Sequence, residues 1–158
     1  MKPHAVAPQI AEQRISGKLS VQVQDALDPE QRKGGGGSFD LLGNARAGQF
    51  ELSTPLGGLV ARASWNDSEV LLVTPQGSRA FPDLDSLSRE MLGETIPVAA
   101  LFGWLQGRAW DGAPSTPLKD GFDQLGWRID LSRFGDGILN ATRSYAPVVT
   151  LRARIEAP

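Results

Sequence analysis

Two alternating segments on either side of a proline–glycine turn constrain this chain more than any other feature. Residues 49–53 (QFELS) and 59–65 (LVARASW) carry apolar side chains at every second position. That period is typical of a half-buried β-strand. Between the segments, Pro55 has a fixed φ angle, and Gly57 or Gly58 can adopt the positive φ angle that a tight turn requires. The sequence therefore predicts a hairpin of two antiparallel strands.

Leu56 lies at the tip of this turn, where a soluble protein more often carries Asn, Asp or Ser. Two interpretations are open at this point. The leucine folds back onto the edge of the core, or it is an exposed apolar residue that contacts a membrane or an apolar ligand.

The remaining alternating segments predict a mainly β fold of about ten antiparallel strands. Strands are expected at 15–24, 37–43, 47–54, 58–65, 68–74 and 77–81, then at 121–125, 126–133, 137–145 and 147–156. The continuous apolar run 70–73 (VLLV) predicts a strand that is covered on both faces. A sheet of this size suggests a curved, incomplete barrel with room for a ligand.

Helices interrupt the strands in the middle of the chain. Asp83 is a suitable N-cap for a first helix, and Gly93 ends it. A second helix is expected from Pro97 to Gly107, with apolar residues on one face. Residues 5–14 predict a further short helix, and 112–117 a loop. We expect the two apolar helices to pack on the concave face of the sheet.

Composition limits the classes of function. A chain of 158 residues predicts one domain (1–158), with 1–14 as an N-terminal extension or helix. The net charge of −2 offers no basic surface for nucleic acid, and the absence of cysteine excludes disulfides and cysteine-ligated metals. Residues 1–20 lack the apolar run of a signal peptide, and no segment reaches the roughly 20 apolar residues of a membrane span.

Catalytic chemistry has little support in the sequence. The single histidine, His4, lies near the N-terminus, where a Ser-His-Asp arrangement has no suitable base. No group of residues has metal-ligand spacing. The glycine run 34–37 lacks the lysine and helix of a phosphate-binding loop. We therefore expect no enzyme activity, no metal and no cofactor.

Three motifs together are similar to the LolB family of bacterial outer-membrane lipoprotein receptors. They are Pro55-Leu56-Gly57 after an alternating strand, residues 96–107 (IPVAALFGWLQG) and residues 126–131 (GWRIDL), in that order. The resemblance runs from about Ile15 to Ile155. It implies an unclosed antiparallel barrel with helices as a lid over a hydrophobic cavity.

The resemblance also implies a function. A protein of this family accepts acylated lipoproteins from a LolA-like periplasmic carrier, holds their acyl chains and inserts them into the outer-membrane bilayer, without nucleic acid and as a monomer. Two alternatives remain open: a soluble periplasmic lipid or lipoprotein carrier of the same fold, and an interaction module that binds no lipid. The family resemblance places residues 55, 56 and 57 in a loop that inserts into the membrane.

Candidates for the acyl-binding cavity are apolar residues on the predicted strands and the second helix, although the same pattern is typical of plain core. They are Phe50, Leu52, Trp65, Leu101, Trp104, Leu105, Trp127 and Ile129.

Some features depart from the family pattern. Leu41 stands where the family often has a tryptophan, and the loop 25–37 is long, with Gly34–Gly37 as either a native flexible hairpin or an engineered joint. Family members are anchored to the periplasmic face of the outer membrane by an acylated N-terminal cysteine, which this chain lacks. We expect that Met1 replaces a removed signal and anchor, which gives a soluble protein.

Overall fold

The computed structural model describes residues 13–24, 32–44, 46–54 and 58–156. In these ranges eleven strands form one sheet, with the strand order β6-β5-β4-β3-β2-β1-β11-β10-β9-β8-β7. The first six strands are β1 (Gln13–Gln24), β2 (Arg32–Gly43), β3 (Gly48–Ser53), β4 (Leu59–Trp65), β5 (Val70–Thr74) and β6 (Gly77–Phe81). The others are β7 (Ser115–Leu118), β8 (Gly121–Gln124), β9 (Trp127–Asp130), β10 (Ile138–Arg143) and β11 (Val149–Ile155).

Helices α1 (Leu84–Leu92) and α2 (Val98–Trp104) separate the two halves of the sheet, and a 3-10 turn (Phe134–Asp136) precedes β10. Every pairing is antiparallel, and β6 and β7 form the two edges of the described sheet. This arrangement confirms the predicted mainly β, unclosed architecture. Neither helix in the described ranges has the length or the apolar content of a membrane-spanning helix.

Strand β1 is the centre of the sheet because it pairs with β2 on one side and β11 on the other. Leu19 and Val21 lie opposite Ala153 and Leu151, and all four side chains are buried. The intervening residues of β1 and β11 are exposed or half-buried. The sheet therefore has an inner face that carries the core and an outer face of polar side chains.

Helix α1 begins and ends at the predicted residues. The Asp83 carboxylate accepts a hydrogen bond of 2.7 Å from the backbone N–H of Ser86, which also lowers the pKa of Asp83. Gly93 has a φ angle of 88°, and its N–H donates to the Arg89 carbonyl at 3.0 Å. The helix therefore ends in a left-handed glycine cap.

Four expectations need correction. β7 occupies part of the predicted loop 112–117, where Pro117 is tolerated because β7 is an edge strand. In the run 70–73 only Leu72 is buried, so the strand is not fully covered on both faces. Residues 1–12 lie outside the described residues, but Gln13 and Arg14 already belong to β1 rather than to an N-terminal helix.

The fourth correction concerns the glycine run. Strand β2 begins at Arg32, so Gly34–Gly37 is part of a strand rather than of a loop. A Cβ atom on Gly34 would lie 2.3 Å from the Val21 carbonyl oxygen, and one on Gly36 would lie 2.2 Å from the Leu19 oxygen. Glycine is required at both positions because the backbones of β1 and β2 approach so closely.

Candidate functional site

An apolar cavity of about 250 Å³ lies between helix α1 and the inner face of β1–β4. Each of its lining residues is aliphatic, methionine or glycine. They are Leu19, Val21, Gly35, Gly36, Leu52, Val60, Met91 and Leu92. Among the described residues no charged side chain lines it, so the cavity suits a hydrocarbon ligand.

Two features of the backbone keep this space open. Gly35 lies opposite Val21, and a Cβ atom on Gly35 would meet no atom within 4 Å. A bulge interrupts the pairing of β3 and β4, since Leu52 lies opposite Ala61 whereas Ser53 lies opposite Leu59. Val60 is the extra residue of this bulge and is 42% exposed.

Helix α1 forms one wall of the cavity and is only partly embedded. Leu87 and Ser88 are its buried residues, while Leu84, Met91 and Leu92 are half-buried against the core. The Ser88 hydroxyl donates to the Asp85 carbonyl and accepts from the Ile96 N–H, both at 2.9 Å. An exposed ion pair of 3.3 Å joins Glu90 on the helix to Arg79 on β6.

Helix α2 is embedded in the core. All of its residues except Ala99 are buried. The Trp104 indole N–H donates to the Gln124 Oε1 atom at 2.8 Å, and the Trp110 backbone N–H donates to the same oxygen at 2.9 Å. The Gln124 Nε2 atom donates to the Trp110 and Ala113 carbonyls at 2.8 Å. This buried amide is fully paired and ties α2 to β8.

A second cavity, of about 320 Å³, lies at the start of the helices and the β8–β9 turn. Trp110, Trp127, Leu125 and Tyr145 contribute its large apolar side chains. Leu125 is exposed and has a φ angle of 56°, which is uncommon for a residue other than glycine. The exposed Leu125 and Tyr145 make this rim apolar.

One buried ion pair connects the segment between the helices to β10. Arg143 Nη1 donates to Glu94 Oε2 at 3.1 Å, with side chains only 4% and 17% exposed. Burial acts to raise the pKa of Glu94, but hydrogen bonds from the Thr95 N–H and the Arg143 guanidinium outweigh it and hold this pKa below its ordinary value. Arg143 also donates to the Pro147 carbonyl and lies over the Tyr145 ring. Within the described ranges its Nε–H has no acceptor.

The predicted cavity residues are all buried, but they do not gather at one cavity. Leu52 lines the 250 Å³ cavity and Trp127 lines the 320 Å³ cavity. The other candidates belong to the core that the sheet shares with α2: Phe50, Trp65, Leu101, Trp104, Leu105 and Ile129.

Sequence reasoning missed most of the wall of the smaller cavity. Leu19 and Val21 could have been found from their alternation on β1, and Met91 from its helical spacing after Leu84 and Leu87. Gly35 gave no such signal, because glycine runs are typical of loops.

The predicted membrane-insertion loop, Pro55, Leu56 and Gly57, lies outside the described residues. Its flanks are described. The Thr54 N–H donates to the Gly58 carbonyl at 2.9 Å, and the Gly58 N–H donates to the Thr54 hydroxyl at 3.1 Å. These two bonds fix both ends of the loop at the end of β3.

Comparison with known proteins identifies the family. The family model described as "Outer membrane lipoprotein LolB" matches residues 11–152. Proteins named "Outer-membrane lipoprotein LolB" from Bordetella petrii and Cupriavidus metallidurans are 31% and 33% identical to this chain, over 76% of it in each case. A third, from Cupriavidus necator, is 31% identical over 84% of the chain. The matches span 63%, 60% and 70% of the lengths of these relatives. The chain belongs to the LolB family.

Proposed function

We propose that this chain is the lipoprotein-binding domain of an outer-membrane lipoprotein receptor. It takes acylated lipoproteins from a LolA-like periplasmic carrier, holds their acyl chains against the inner face of the sheet and inserts them into the outer membrane. The observation that carries this proposal is the cavity beneath α1, whose described lining side chains are all apolar, in a chain of the LolB family. The names of the relatives support a location at the outer membrane.

The energetics of acyl chains explain why such a protein is needed. Removing one CH₂ group from water is worth about 0.8 kcal/mol, so a chain of about 16 carbons gains roughly 12 kcal/mol on burial. A lipoprotein therefore crosses an aqueous compartment only if its chains are covered. Binding and release suffice for this role, and neither requires a catalytic group.

The cavity is too small for a whole acyl chain as it stands. An apolar cavity of about 150 Å³ holds benzene, which has six carbons. By the same ratio, 250 Å³ holds about ten carbons. Uptake of a long chain therefore requires one wall to move.

Helix α1 is the wall that moves at lower cost. Lifting it exposes one buried leucine, Leu87, and three half-buried apolar side chains, at a cost of about 4–8 kcal/mol. One long acyl chain repays this cost. Lifting α2 would expose Val98, Leu101, Phe102 and Trp104, at about 6–12 kcal/mol, and would also leave the Trp104 indole unpaired. The lid in this proposal is therefore α1.

The lining also favours release. Met91 and the leucines adapt to different chain shapes, and no charged group anchors a headgroup. A ligand held only by apolar contact moves on when a more apolar environment, such as a bilayer, is offered. Leu56 contributes at this step. Burying one leucine is worth about 1.5–3 kcal/mol, which allows reversible membrane contact without stable attachment.

A fluorescent fatty-acid probe tests the proposal directly. The probe is expected to bind the folded protein at micromolar concentration and to be displaced by purified triacylated lipoprotein. Probes of equal chain length with anionic, zwitterionic and neutral headgroups are expected to bind with similar affinity. Failure of every probe to bind, with the fold verified by circular dichroism, would exclude acyl binding.

A further inference from the structure

A groove of about 370 Å³ lies on the outer face of the sheet, on the side opposite to the core. Strand β1 runs along its middle, with β2 and β11 on either side. The groove is lined by Lys18, Leu19, Ser20, Gly36, Gly37, Ser38, Arg152 and Arg154. No carboxylate of the described part of the chain lines it, so its charged side chains offer hydrogen-bond donors and positive charge.

The cations of this groove repel each other across the sheet. Lys18 lies directly opposite Arg154, and Arg152, two residues before Arg154, lies opposite Ser20. Like charges that face each other across two strands are destabilising. None of the three takes part in an ion pair among the described residues, and the nearby Glu156 does not pair with them. A bound anion would remove this repulsion.

Other arginines on the same face are neutralised. Arg14, Arg62 and Arg128 each form an ion pair of 2.7–3.1 Å with a carboxylate on the neighbouring strand. Their partners are Asp40, Glu51 and Asp123. Among the described residues, these three arginines of the outer face are paired with carboxylates, whereas the three cations of the groove are not.

The groove is wide enough to admit a phosphate group. Gly36 contributes no side chain to the floor, and a Cβ atom there would lie 2.2 Å from the Leu19 carbonyl oxygen. Ser20 and Ser38 add hydroxyl groups. Guanidinium groups bind phosphate through paired N–H donors, and a lysine ammonium adds a point charge.

The position of the groove indicates the source of the phosphate. Ser38 lies opposite Ser53, the last residue of β3, and the loop held between Thr54 and Gly58 follows directly. The groove therefore lies at the same end of the sheet as the two ends of that loop. Contact of this end with a bilayer would bring the groove to the membrane surface. We propose that the groove of Lys18, Arg152 and Arg154 binds the phosphate of an anionic phospholipid headgroup at the membrane surface. The assignment of this phosphate to a membrane lipid rests on the proposed function, whereas the binding of phosphate by the groove does not.

Vesicle co-sedimentation tests this proposal. Vesicles of phosphatidylcholine are compared with vesicles that also contain phosphatidylglycerol. A single basic side chain near an anionic surface strengthens binding about fivefold, and three together about a hundredfold. The variant Lys18→Gln/Arg152→Gln/Arg154→Gln should therefore lose about a hundredfold in affinity for the phosphatidylglycerol vesicles. It should melt no lower than the wild type, because it removes a repulsion.

The matched control is Arg14→Gln/Arg62→Gln/Arg128→Gln, which removes the same charge from the same face. It should lose less than fivefold, and the single variant Arg152→Gln should lose about fivefold. Equal losses in the two triple variants would overturn the proposal, since net charge alone would then explain binding. If the protein bound inorganic phosphate but showed no preference for anionic vesicles, the assignment of the phosphate to a membrane lipid would be overturned. The groove variant should bind the fatty-acid probe as well as the wild type does. The probe therefore tests acyl binding by the cavity, and the vesicles test phosphate binding by the groove, so either proposal can fail without the other.

Discussion

Filling the cavity from β2 is expected to separate acyl binding from folding. Gly35 lines the 250 Å³ cavity, and a Cβ atom at this position meets nothing within 4 Å. The substitution Gly35→Leu places a four-carbon side chain in space that holds about ten carbons. The neighbouring Gly34 and Gly36 cannot be used, because a side chain there would collide with the backbone of β1.

The structure gives the size of both effects. Burying a leucine side chain contributes about 1.5–3 kcal/mol, and replacing a strand glycine adds about 0.5–1 kcal/mol. Imperfect fit costs about 1–3 kcal/mol, so the free energy of unfolding should change by between about −1 and about +3 kcal/mol. The ligand loses contacts equivalent to about four CH₂ groups, or about 3 kcal/mol, which weakens binding roughly a hundredfold.

Two measurements on each protein suffice: urea unfolding and titration with the fatty-acid probe. Gly135→Leu is the matched control, because Gly135 is exposed, lies far along the chain in the 3-10 turn and also has open space around its Cβ position. The control should bind the probe like the wild type. A Gly35→Leu protein that is stable and binds normally would refute acyl binding in this cavity, and an unstable one would refute the cavity geometry.

Four further predictions follow from other parts of the structure. The variant Arg79→Cys/Glu90→Cys, linked by a short bismaleimide that fixes α1 to β6, should fold normally but lose probe uptake. The same variant without the reagent should take up the probe normally. Equal uptake by the linked protein would mean that α1 is not the lid. Gln124→Leu leaves the buried Trp104 indole N–H and the part-buried Trp110 N–H unpaired and should lower the free energy of unfolding by about 2–6 kcal/mol in urea titration, whereas a loss below about 1 kcal/mol would contradict the network. The pKa of Glu94 is lowered in the folded state, so ionised Glu94 stabilises the fold at pH values above its ordinary pKa of 4.5. This stability is lost as the pH falls through the lower pKa of the folded state. Thermal melts should show a falling melting temperature in acid for the wild type and a flatter pH profile for Glu94→Gln. Leu56→Glu should keep its melting temperature and probe binding but fail to pass lipoprotein to liposomes, and a lower melting temperature would instead indicate a core-edge leucine.

Local sequence signals predicted both described helices and most of the strands, but not the site. Asp83 and Gly93 fix the ends of α1 through a side-chain cap and a left-handed backbone, both of which depend on neighbouring residues only. The alternation in β3 and β4 predicted their pairing for the same reason. By contrast, the cavity depends on Gly35 and Met91, which are far apart in the sequence and share no periodic pattern.

Two other features were hidden by residue type. Gln124 is a polar residue on the buried face of β8, where Trp104 and the segment after α2 supply all of its hydrogen-bond partners. The glycines of β2 read as a loop, yet the close approach of β1 requires them in a strand. In both cases a tertiary contact overrides the local preference, and the sequence alone does not reveal that contact.

The most direct test of the central claim is transfer of a triacylated lipoprotein from a LolA-like carrier, through this protein, into liposomes. Native mass spectrometry reports the intermediate complex, and liposome flotation reports delivery. We expect a one-to-one complex with lipoprotein that forms without nucleotide, is abolished by linking α1 to β6, and releases the lipoprotein when liposomes are added. A complex that forms equally well with the non-acylated lipoprotein, or with the linked protein, would contradict this expectation.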